Sequence, residues 1–260
     1  MTYCCGILVN DGLVMIADTR TNAGLDNVST FRKLTVFEHA GQHVMMLASA
    51  GNLSVTQSVV NLITEGFEHP DSHEIERLET MPSMFDAAML IGRATRKVRQ
   101  MNDAAYQHSS MSFDVSFLFG GQIKGRRLRL FMIYSAGNFI ECTQDAPFLQ
   151  IGEHKYGKPI LDRAITFDTQ LYDALKIGLI SMDSTIQSNL GVGLPIDIAA
   201  TARDTQATEV NARISAADPY FRSLRESWSS ALRAAHIAIP RPPYGARPSS
   251  GAKPSSGAKP

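Results

Sequence analysis

The sequence is poor in cysteine, with three in 260 residues: Cys4, Cys5 and Cys142. An odd number excludes a complete disulfide framework. Neighbours on a strand point to opposite faces, so Cys4 and Cys5 would bridge only with strain. A reducing, cytoplasmic setting is therefore expected. A charge surplus is also missing: Lys plus Arg number 25 and Asp plus Glu number 25. Neither nucleic acid nor an anionic membrane is expected as a partner, because both need a basic excess. No apolar run approaches the roughly 20 residues of a membrane-spanning helix. The first residues lack a basic segment followed by an apolar core, so no signal peptide is expected. Metal-ligand spacing is absent as well. His39 and His43 lie four apart in strand-like surroundings and are expected at the surface, and His69, His73, His108, His154 and His236 form no ligand motif. Gly120-Gly121-Gln122 reads as a turn and not a phosphate loop, since no Gly-Lys-Ser/Thr follows. No cofactor or metal is expected.

What is present is core. Apolar residues make up 44% of the chain and charged residues 19%, enough for one large domain. Residues 3–9 and 13–18 are nearly continuous apolar runs joined by Asn10-Asp11-Gly12, a hairpin signal. Continuity instead of alternation predicts strands covered on both faces. His43–Ala50 reads as a further strand. Residues 54–67 read as a helix with Val55, Val59, Leu62 and Ile63 on one face. Ser83-Met84-Phe85-Asp86 has the form of a capping box. The helix it opens has a stripe of Ala87, Leu90, Ala94, Val98, Met101 and Ala105. Strands are expected at 113–120, 128–134 and 139–143, and a helix at 170–189 striped by Leu171, Leu175, Leu179, Met182 and Ile186. Strands near 196–202 and 208–214 and a helix near 218–235, which holds the lone Trp228 as a core or interface residue, complete the domain. Strands grouped apart from helices predict an α+β fold of two stacked sheets with helices outside both.

Residues 2–239 form this domain. Residues 240–260 differ: PSSGAKP closes the chain and is preceded by the near copy RPSSGAK. With Pro, Gly, Ser and Lys and no apolar pattern, a flexible tail is expected there. Its Arg241, Arg247, Lys253 and Lys259 suit a solvated appendage, or contact with an acidic partner.

The first strand begins almost at once, behind Met1-Thr2. Threonine is small enough for aminopeptidase removal of the preceding methionine. Thr2 would then carry a hydroxyl and a free α-amine, whose reference pKa of roughly 7.7–8.0 suits a base near neutral pH. Nucleophile and base on one residue is the arrangement of N-terminal nucleophile chemistry. Asp18 ends the second apolar run, and the hairpin returns it to the neighbourhood of residue 2. Lys33, in Phe31-Arg32-Lys33-Leu34, stands at a strand edge. A lysine near the threonine favours the alkoxide, and a carboxylate orients that lysine. Taken singly, each has a plainer reading: a permissive start, a strand-end turn residue and a solvated surface charge.

Together they carry a resemblance. MTYCCGILVNDGLVMIADTRTNAGLDNVSTFRKL, with IGEHKYGKPILDRAI at 151–165 and SMDSTIQSNLGVGLP at 181–195, resembles Anbu, the ancestral beta subunit, a bacterial proteasome-related family of N-terminal nucleophile hydrolases. The similarity covers about residues 2–235. It implies a four-layer αββα sandwich, Thr2 as nucleophile, Asp18 and Lys33 as its partners, and Gly51 in Ser49-Ala50-Gly51-Asn52 as the oxyanion-hole residue. Glycine there lets backbone approach a substrate carbonyl. Two departures stand out. Gly152-Glu153-His154 replaces the Gly-Ser-Gly turn of active proteasomal subunits, which makes Glu153 a candidate replacement carboxylate. Ser188 and Gly191 fall where those subunits carry an aspartate and a serine beside the amine. With no propeptide before Thr2, maturation is expected to need only methionine removal.

The resemblance also implies a homo-oligomer, ring-like or spiral, with peptides or unfolded protein as substrate. Three functions follow from one site: a threonine peptidase in a proteasome-like assembly, an amidase acting on a small amide, or a scaffold that keeps fold and oligomer without activity.

Overall fold

A computed structural model describes residues 1–22, 28–107 and 113–244. The hairpin at the front is β1 (Tyr3–Val9) and β2 (Gly12–Asp18), and every residue of both strands is buried. The next strands are β3 (Arg20–Asn22), β4 (Val28–Thr30), β5 (Leu34–His39) and β6 (His43–Gly51). Helix α1 (Leu53–Glu65) and the short pair β7 (Phe67–Glu68) and β8 (Ile75–Glu76) lead to α2 (Met84–Gln107). Strands β9 (Val115–Ile123), β10 (Arg129–Tyr134), β11 (Phe139–Glu141) and β12 (Phe148–Gly152) follow, then α3 (Lys158–Ala164) and α4 (Leu171–Ser188). Strands β13 (Ile196–Ala202) and β14 (Val210–Ile214) and helix α5 (Pro219–Ala238) finish the described fold.

Two antiparallel sheets of five strands run in the orders β12-β1-β2-β13-β14 and β11-β10-β9-β6-β5. Three apolar clusters define the layers. Cys4, Leu13, Met15, Met46, Leu118 and Leu130 fill the space between the sheets. Val59, Ile63, Leu90, Ile91, Phe117 and Phe119 join α1 and α2 to the second sheet. Ile7, Val14, Ile16, Leu161, Leu179 and Phe221 join α3, α4 and α5 to the first. The result is the αββα sandwich. Strands in its middle bury both faces, which is why β1 and β2 read as unbroken apolar runs. Each fully buried large side chain contributes about 1.5–3 kcal/mol.

The caps are local. Asn52 accepts from Ser54 N at 3.0 Å to start α1. Ser83 Oγ accepts from Asp86 N at 3.1 Å and donates to the Asp86 carboxylate at 2.6 Å, so Ser83 caps the helix as expected, with the carboxylate returned to its hydroxyl.

Some expectations need correction. Gly120 and Gly121 lie inside β9, paired with Met46 and Met45 of β6, so this is not a turn. The ladder persists because the sandwich leaves no room there: a Cβ on Gly120 would lie 2.7 Å from Leu13 Cδ2. Met101 is 69% exposed, since α2 runs past the sheet that covers its first turns. His43 is buried, not at the surface; it pairs with His39 across the β5–β6 hairpin, and burial pushes its pKa down. His108, and residues 245–260 of the expected tail, lie outside the described residues, as does the side chain of Ala105. Among the described residues no helix is long and apolar enough to cross a membrane.

Candidate active site

The hairpin fixes the first relationship. Cys4 stands opposite Ala17 in the β1–β2 register, so Asp18 comes alongside the residue where β1 begins. Its Oδ1 accepts from Tyr3 N at 3.0 Å and its Oδ2 from Arg20 N at 3.1 Å. Lys33 sits one residue before β5, on the opposite sheet, and is only 6% exposed. Its ammonium donates to Thr2 Oγ1 at 2.8 Å, Asp18 Oδ1 at 2.9 Å and Arg20 O at 2.6 Å. A lysine ammonium has three protons, so each is directed and the nitrogen is held in one place beside the threonine hydroxyl.

Burial is the largest influence on the Asp18 carboxyl and pushes its pKa above the ordinary carboxylate value, while Lys33 and the two backbone N–H groups act in the opposite direction. The neighbouring Cys4 thiol is pushed well up by burial and by the Asp18 charge, so it stays a neutral packing group. Tyr3, fully buried, anchors the chain beside Thr2. Its hydroxyl lies 2.6 Å from Ser181 Oγ and accepts from Gln150 Nε2 at 2.5 Å.

Gly51 closes β6 with φ +105°, and a Cβ there would fall 2.0 Å from Asp114 O. Only glycine fits. It directly precedes Asn52, the cap of α1, so the positive end of that helix lies next to it. Thr2 and Gly51 line one cleft of about 1310 Å³. A smaller recess of about 280 Å³, lined by Lys33, Thr35, Ser49, Leu53 and Gln57 among others, adjoins the lysine. Among the described residues no group of His, Cys, Asp and Glu is arranged to hold a metal.

A family model for proteasome subunits matches residues 2–200. An Anbu (Gly-1) mutant from Hyphomicrobium sp. strain MC1 is 48% identical, with 93% of this chain and 99% of that chain covered and a TM-score of 0.84. The chain belongs to the Anbu family. Anbu from Yersinia bercovieri is 43% identical over 94% of this chain and all of its own, with a TM-score of 0.85. The Pseudomonas aeruginosa protein, described as a helical assembly of the Anbu complex, is 42% identical over 93% and 98% of the two chains, with a TM-score of 0.84. No protein of curated function matches.

Within this Anbu chain the other candidates divide. Glu153 follows Gly152, whose φ of +78° and close approach to Thr2 O leave no space for a Cβ. Glu153 N donates to Thr2 O at 2.7 Å. Its carboxylate accepts from Asn189 Nδ2 at 2.9 Å. Ser188 is the last residue of α4 and is exposed to solvent. Gly191 packs against Met1. The sequence reading missed Tyr3, Arg20 and Asn189. In the sequence Asn189 stands out only as a helix-ending asparagine next to Ser188.

Proposed function

We propose that this Anbu chain is a threonine-type hydrolase that cleaves peptide bonds once Met1 has been removed. One observation carries the reading: a buried, fully directed Lys33 ammonium 2.8 Å from Thr2 Oγ1, with Asp18 behind it. Met1 is 67% exposed and open to an aminopeptidase. While Met1 is attached, the Thr2 nitrogen is an amide and cannot act as a base. After its removal the α-amine takes the proton from Oγ1 as that oxygen bonds to the substrate carbonyl carbon. Lys33 stabilises the developing negative charge on Oγ1, and the Gly51 N–H serves the carbonyl oxygen. The C–N bond then breaks, and the α-ammonium returns its proton to the leaving amine. Water, deprotonated by the same amine, cleaves the resulting ester and frees Thr2.

The size of the cleft favours a peptide over a small amide, since about 1310 Å³ exceeds the usual range for small-molecule sites. The recess beside Lys33 suits one substrate side chain. Homo-oligomerisation, as a ring-like or spiral array, is supported by the helical assembly named for the Pseudomonas aeruginosa relative. The test compares wild type and Thr2→Ala on fluorogenic peptides and small acyl amides. Peptide turnover that disappears in Thr2→Ala, with the oligomer intact, is expected. Turnover of the amides alone would favour the amidase, and equal rates in both proteins would leave only the scaffold.

A further inference from the structure

We infer that Glu153, held by Asn189, is the positioning residue for the α-amine of processed Thr2. This rests on the hydrolase reading above and extends it to the proton acceptor.

The contacts form a bracket around the Met1–Thr2 bond. Glu153 N donates to Thr2 O at 2.7 Å, which ties the start of the turn to the nucleophilic residue itself. The Glu153 side chain is 20% exposed and accepts from Asn189 Nδ2 at 2.9 Å. Asn189 Oδ1 in turn accepts from Gly191 N at 2.8 Å. Gly191 lies against Met1, with its would-be Cβ 2.5 Å from Met1 Cβ. Met1, Thr2 and Glu153 line the same cleft. When Met1 leaves, the new group inside this bracket is the amine.

That amine needs an anionic neighbour. Lys33, 2.8 Å from Oγ1, is a like charge that disfavours the ammonium formed when the amine takes the hydroxyl proton. Asp18 already holds Lys33 and two backbone N–H groups. Glu153, whose N–H is bonded to Thr2 O, supplies a second carboxylate, and Asn189 holds that carboxylate. One charged group already pairs with this carboxylate: Lys155, whose ammonium lies 3.5 Å from Glu153 Oε2 and is itself exposed. His154 is turned onto Gly152 O at 3.1 Å. Asp114, Asp145, Lys158 and Asp162 line the rest of the cleft.

The test reads the amine directly and needs no turnover. The full chain, with Met1 taken off by methionine aminopeptidase, is labelled with acetic anhydride across roughly pH 6–10, around the reference α-amine value. The N-terminal peptide is followed by mass. Glu153→Gln keeps an acceptor for Asn189 and removes the charge. Its labelling midpoint is expected to fall by about half a pH unit or more, the scale of losing a nearby opposite charge. Glu153→Asp is expected to recover part of that shift, and Asn189→Ala, which frees the carboxylate, to lose part of it. A Glu153→Gln midpoint equal to wild type would overturn the proposal, as would a Glu153→Asp midpoint as low as that of Glu153→Gln. Absent peptide turnover with these shifts intact would count against the hydrolase reading alone.

Discussion

The Lys33 ammonium bridges two sheets: it lies 2.8 Å from Thr2 Oγ1 and 2.9 Å from Asp18 Oδ1. Asp18 ends β2 and Thr2 directly precedes β1, while Lys33 enters from just before β5 on the other sheet. Any slip of one sheet over the other would break the contact. The apolar layer between the sheets therefore sets the geometry around Thr2 Oγ1.

Lys33→Ala removes the charge beside Oγ1. Peptide hydrolysis, or acylation of Thr2 by an electrophile, is expected to slow by about 100-fold or more, the scale of losing a key electrostatic stabiliser. Stopped time courses followed by intact mass measure it. Wild-type rates in the variant would mean that the lysine serves structure alone.

Asp18 gives a pH signature in stability. Burial raises its pKa in the folded chain, so between about 3.9, the unfolded value, and the raised value the folded state binds more protons than the unfolded state. Stability from this group is then fully present below the unfolded value and is lost as pH rises through the folded one. The melting temperature of wild type minus that of Asp18→Asn should fall as pH rises through that window. A difference that grows with pH would contradict this sign.

Gly51→Ala places a methyl where Asp114 O already stands, at a φ that L side chains rarely adopt. A loss of about 1–3 kcal/mol in urea unfolding is expected, together with loss of hydrolysis. Unchanged stability and rate would show that the strand end relaxes freely.

Tyr3→Phe removes the hydroxyl shared by Ser181 and Gln150. The Gln150 amide is half-buried, so losing this bond is expected to cost about 0.5–1.5 kcal/mol, the net worth of an ordinary hydrogen bond. Because Tyr3 also directs its N–H to Asp18, the rate of Thr2 acylation should drop as well. Thermal melts and acylation kinetics on the same preparation read both.

The layers were legible because their cause is local composition. A strand buried on both faces has to be apolar along its length, as Cys4–Val9 and Leu13–Ala17 are, and the helical stripes had the right period. The capping box at Ser83 and Asp86 is a four-residue signal. Strand β12 and helix α3 were not legible. Phe148–Gly152 is short and half-buried at a sheet edge, and Lys158–Ala164 spans only seven residues. Gly120-Gly121 misled because glycine usually interrupts a strand, whereas here it makes room for Leu13 and for β6. The burial of Lys33 comes from the opposite sheet, which no window of sequence around it contains. Asn189 and Glu153 meet only because β12 and the end of α4 converge on Met1, a relation between segments 36 residues apart.

The most direct measurement of the central claim is intact and peptide mass of the native chain before and after treatment with an electrophile that traps N-terminal threonine. The account predicts a chain lacking Met1 and a single adduct on Thr2 that disappears in Thr2→Ala. A native chain that keeps Met1 throughout, or a processed chain whose Thr2 takes no adduct, would contradict it.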